Sequence, residues 1–140
     1  MHAELAFCVL VMNPEWSIEN KYAAANKFKK FDCSCPREYA SLFNNLDRLV
    51  RHLNGGAKIG SFQIGFFRSE GRGVYRVGQS AVAYAKESRL YVFPHQDSMT
   101  IYLLTIGSKD SQAQDINEAH AIADRIEKDI QAEEQSNQSK

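Results

Sequence analysis

"SRLYVFPHQDSMTIYLLTIGSKDSQAQDI", residues 88–116, decides how this chain folds. Residues 89–93 and 99–106 are rich in Val, Ile, Tyr and Phe, as strands are. PHQDS between them is short enough for an antiparallel hairpin. The second run stops at Gly107, shows one lysine, Lys109, and restarts with Ile116, Ala119, Ile122, Ala123, Ile126 and Ile130 on one helical face. Asp110 or Ser111 is the expected N-cap of that helix, with Asp115 in its first turns.

Upstream, residues 74–77 read as a third strand, joined to residue 89 by GQSAVAYAKES, a wide loop or an extended hairpin tip. Before it, IGSFQIGFFRSEGRG is glycine-punctuated and aromatic, which suggests a loop or a short strand crossing a sheet. Further back, Tyr39, Leu42, Phe43, Leu46, Leu49, Val50 and Leu53 form one apolar stripe. Pro36 opens that helix, and Asn54-Gly55-Gly56 supplies a left-handed stop. Tyr22, Ala25 and Phe28 have helical spacing and precede a break at FDCSC. LAFCVLVM, residues 5–12, reads as a buried strand ending at Asn13-Pro14.

Strand, two helices, three strands, helix is the order of an α+β domain. The expected architecture is a small, mostly antiparallel sheet with two N-terminal helices and one C-terminal helix, packed against one face and leaving the other partly open. Residues 1–132 form a single domain on this reading. The polar tail EEQSNQSK, residues 133–140, has no apolar residue and is expected to be disordered.

The chain has 140 residues, 44% hydrophobic and 24% charged, enough to bury one core. Its longest apolar stretches fall far short of the ~20 residues that span a bilayer, so no membrane association is expected. The N-terminus carries Glu4 where a signal peptide has a basic region, and three cysteines are too few for a secreted disulfide framework, so the cytoplasm is the default location. Cys33-x-Cys35 lacks a second ligand pair, so neither metal nor cofactor is expected. Formal charge is zero but unevenly spread. Residues 48–95 hold eight Lys/Arg against two Asp/Glu, and residues 96–140 hold four against nine, so a polyanion should meet the middle of the chain.

The stretch 88–116 resembles the RelE-like toxins of bacterial toxin–antitoxin modules, in their HigB-like, phage-derived branch. Arg89, Tyr91 and Phe93 match the branch's first strand, and Ile101, Leu103 and Leu104 its second. Gly107, Lys109, Gln112, Asp115 and Ile116 match the corner that leads into the last helix. Gly71, Gly73, Val74 and Tyr75 in EGRGVYRV match an upstream strand. The specific match spans residues 71–116. Ser108 and Asp110 exchange the family's Asp and Ser. A second register would place Arg76 of VYRV where Arg89 stands, but Arg89 keeps the spacing to Lys109.

The resemblance implies a cytoplasmic toxin that cleaves mRNA without a metal, often on the ribosome, and is inhibited by a cognate antitoxin. In such a reaction the 2′-hydroxyl attacks the neighbouring phosphate, so cations must stabilise the growing charge and two protons must move. Alternation puts Arg89, Tyr91 and Phe93 on one strand face and Leu90 and Val92 on the other, so Arg89 can present a planar fork to the phosphate and Tyr91 beside it can stack on a base or hydrogen-bond to the backbone. Lys109, between a strand end and a helix start, would add an ammonium to an anion seat. The plain alternative is a solvated charge on a capped turn. His95 is a candidate acid or base, or an exposed loop histidine. Arg76 could add a second clamp, and Arg68 and Arg72 could hold RNA phosphates or simply be solvated. The rival reading is a non-catalytic protein of the same fold that engages a protein or RNA through its sheet.

Overall fold

A computed structural model describes residues 15–61, 64–80 and 82–138. The strand expected at residues 5–12 lies outside them. The described chain runs β1 (Ser17–Glu19), α1 (Ala25–Ser34), α2 (Pro36–Asn54), β2 (Phe67–Gly71), β3 (Val74–Gly78), β4 (Ser88–His95), β5 (Thr100–Ser108), a 3-10 turn (Lys109–Ser111) and α3 (Gln112–Gln138). This is the expected α+β layout of two N-terminal helices, a mostly antiparallel sheet and one C-terminal helix.

The sheet order is β1-β5-β4-β3-β2, antiparallel except where β1 runs parallel to β5. β1 joins the three strands read from the sequence, and the stretch read as a loop or a short strand supplies a fifth, β2. β1 is only three residues long, too short for alternation to reveal. β2 closes a tight hairpin with β3 through Arg72 and Gly73, both at positive φ (54° and 78°). A Cβ at Gly73 would lie 2.8 Å from the Phe93 ring, so the turn needs glycine for space as well as for conformation.

Helices cover both faces of the sheet, not one. Leu42, Leu46, Leu49 and Leu53 of α2 pack with Val77, Leu90, Val92, Ile101 and Ile106 on the first face. Ala119, Ala123 and Ile126 of α3 pack with Val74, Tyr91, Phe93 and Leu104 on the second. The physical reason lies in β4, where every residue but His95 is buried. A strand apolar on both faces needs a layer on each. α3 also continues through Gln138, so the tail composition that suggested disorder is helical at least to that point. Extending a formed helix is far easier than nucleating one, and Ala, Glu and Gln are good helix formers.

α2 starts at Pro36 and ends where Gly56 takes φ 101°, with the N–H groups of Gly55 and Gly56 bonded to Arg51 and Leu53 carbonyls. Its buried Asn45 donates to the Gly78 carbonyl (2.7 Å) and to Ser80 Oγ (3.0 Å), which pins the exit from β3. At the other end of the β3–β4 connection, the Lys109 N–H donates to the Glu87 carbonyl (2.9 Å).

α3 starts from a corner built on a buried carboxylate. Asp115, 2% exposed, accepts from Lys27 Nζ of α1 (2.7 Å) and from Ser111 Oγ (2.6 Å). It packs so closely over Gly107 that a Cβ there would come 2.0 Å from Asp115 Oδ2. Lys27 also donates to Glu118 (2.9 Å), so one lysine ties a helix on the first face to the helix on the second, past the outer edge of β5.

Candidate functional site

Strand register places the basic residues. Arg68 of β2 is opposite Arg76 of β3, which is opposite Tyr91 of β4, and Gly78 is opposite Arg89. Directly opposed residues of antiparallel strands share a face. Arg68, Arg76 and Arg89 therefore stand on the α3 side of the sheet, beyond the helix, where Gly78 has no side chain to fill the space. They line a cleft of about 250 Å³ together with Gln79 and Glu87.

Arg89 is the deepest of these cations, with its side chain only 9% exposed. Its guanidinium donates to Gln112 Oε1 at the start of α3 and to Glu87 Oε1 (3.1 Å). Lys109 Nζ approaches the other oxygen of the same carboxylate at 3.8 Å and is 68% exposed. The two cations singled out in the sequence therefore meet on one anion. Arg76 pairs with Glu70 (3.3 Å), both largely buried, while Arg68 is exposed and has no ion-pair partner among the described residues.

Three expected participants lie elsewhere. Tyr91 shares the face of Arg89 but is fully buried under α3, so it cannot stack on a base. Burial, reinforced by the Asp115 charge, pushes its hydroxyl up to about 12, and that hydroxyl has no hydrogen-bond partner among the described residues. His95 is at the opposite end of β4, six residues from Arg89 and so roughly 20 Å along the strand, where its Nδ1 meets Ser98 Oγ (2.7 Å). Arg72 occupies the β2–β3 turn, at the far end of β3 from Gly78, and faces Asp124 of α3 at 4.0 Å.

Glu87, Gln112 and Gln79 were given no role on sequence grounds. A signal existed for the first. Residues 48–95 contain only two acids, Glu70 and Glu87, and each pairs with an arginine of the cleft. Gln79 Oε1 accepts from the Ser88 N–H (3.0 Å), which fixes the entry to β4 beside Arg89.

Chemically the cleft can seat an anion: carboxylates hold Arg76 and Arg89 in place, Arg68 is open to solvent, and no histidine lines it. Among the described residues no three His, Cys, Asp or Glu side chains cluster as a metal site would require, and no helix is long and apolar enough to cross a membrane. No protein-family model, curated protein or solved structure matches the chain.

Proposed function

We propose that this protein is a RelE-like toxin of a bacterial toxin–antitoxin module, acting in the cytoplasm as a metal-independent mRNA endoribonuclease, with a cognate antitoxin and the ribosome as partners. The observation that carries this reading is the convergence of Arg89 and Lys109 on one carboxylate, beside Arg76 and Arg68. The resemblance over residues 71–116 supplies the reaction. A scissile phosphate in the place of the Glu87 carboxylate would receive a fork from Arg89 and an ammonium from Lys109. The 2′-hydroxyl gives its proton to solvent water as its oxygen bonds to phosphorus, the bond to the 5′-oxygen breaks and that oxygen takes a proton from water, and the charge that accumulates on the equatorial oxygens falls on these cations.

A second reading has an observation of its own. The expected acid or base, His95, is remote, and Tyr91, expected to position the substrate, is sealed by burial, which favours a protein of this fold that binds RNA or a protein partner without cutting.

Induced expression in bacteria with primer extension on cellular transcripts separates the two. Growth arrest with cut mRNA, abolished by Lys109→Ala and by Arg89→Gln in protein that still folds, supports the nuclease. Full-length transcripts and unaffected growth support the binding protein.

A further inference from the structure

Glu87 ends the β3–β4 connection and is fixed through its backbone, because its carbonyl accepts from the Lys109 N–H (2.9 Å) and the next N–H, of Ser88, donates to Gln79 (3.0 Å). Its side chain is 58% exposed, and the only groups that hold it among the described residues are Arg89 and Lys109. A carboxylate on a fixed backbone, free to swing toward solvent, thus rests where an incoming phosphate would find both cations.

We infer that Glu87 is a tethered competitor that reserves the cleft for the phosphodiester of an RNA strand and keeps out free phosphate. This rests on the reading of the cleft as an anion seat. A side chain attached beside its own site acts at an effective concentration on the order of millimolar or more, so a free ion must outcompete it on the same two cations. Inorganic phosphate gains nothing else in exchange. A strand also reaches Arg68, which is exposed and has no ion-pair partner among the described residues, and, where it leaves the cleft past Glu87 for the adjoining groove, Lys86, 61% exposed and paired with the exposed Asp110 at 3.4 Å. Those contacts carry the displacement of Glu87. Arg76 adds little to either ligand, since it is already paired with Glu70. The residue therefore sets selectivity by what it costs to remove.

Glu87→Gln keeps the side-chain shape and removes the charge. Asp124→Asn removes the same charge at the Arg72 turn, away from the cleft, and serves as the control. Each full-length protein is titrated with inorganic phosphate and with a short single-stranded oligoribonucleotide carrying 2′-O-methyl groups, which cannot be cleaved, so the outcome is independent of nuclease activity. Wild type should bind the oligonucleotide and barely respond to phosphate. Glu87→Gln should raise phosphate affinity on the order of tenfold, the size of two partly exposed ion pairs removed, and oligonucleotide affinity by less. Unchanged or weaker phosphate binding in Glu87→Gln overturns the inference, as does an equal gain in Asp124→Asn. So does a wild type that fails to bind the oligonucleotide. A Glu87→Gln gain in a protein that cuts no RNA would leave this inference standing and remove the nuclease.

Discussion

Gly107 illustrates how one residue fixes the corner from which Arg89 and Lys109 are held. A methyl group there would meet Asp115 Oδ2 at 2.0 Å, and Asp115 cannot retreat because Lys27 and Ser111 both hold it. Gly107→Ala should therefore cost about 2–3 kcal/mol, as overpacking at a rigid site does, measurable by urea denaturation. Tyr91→Phe should behave oppositely. It removes a buried hydroxyl that has no partner among the described residues, so stability should hold or rise by up to about 1 kcal/mol, and any RNA cleavage should persist at the wild-type rate. Strand alternation correctly put Arg89, Tyr91 and Phe93 on one face and Leu90 and Val92 on the other. It could not say that the first face is roofed, because periodicity reports direction and not what lies above. Glu87 was hidden for a related reason, since its position depends on how the long β3–β4 connection returns.

At the scale of elements, the stripe of α2 and the three strands from residue 74 onward were plain, since each carries its own period and punctuation. The layering was harder. The near-continuous apolar text of residues 99–106 was the signal for a sheet covered twice, which the burial of every β4 residue but His95 bears out, though it was read as a single-faced packing. α3 shows how unevenly a helix contributes. Ile126 is fully buried against the second face, so Ile126→Ala should cost about 2–4 kcal/mol, whereas residues 131–138 are all exposed. Truncation after Ile130 should shift stability by less than about 0.5 kcal/mol. Thermal melts of the two variants against wild type check the contrast.

For the whole molecule, the ion pairs of Lys27 join the two helical layers, and their pH dependence has a defined sign. Burial alone would raise the Glu118 carboxyl, but the hydrogen bond and charge of Lys27 help hold it below its ordinary value. Its contribution is therefore complete above the ordinary carboxylate range and is lost as pH falls through the lowered value. Burial would lower Lys27, and the hydrogen bonds it donates to Asp115 and Glu118 raise it instead, so its share is present below the ordinary lysine range and lost as pH rises through the raised value. Melting temperature should fall on both sides of that window, and Lys27→Met should flatten the acid side. A wild-type acid limb that Lys27→Met leaves unchanged would show that other groups govern it.

The proposed function depends on Arg89 and Lys109 acting on one anion. A double-mutant cycle of Arg89→Gln and Lys109→Ala, read as affinity for the uncleavable oligoribonucleotide, measures that most directly. Shared grip on a single phosphate predicts a coupling of about 1 kcal/mol between the two substitutions, whereas losses that add to within about 0.3 kcal/mol would place them on separate anions and contradict it.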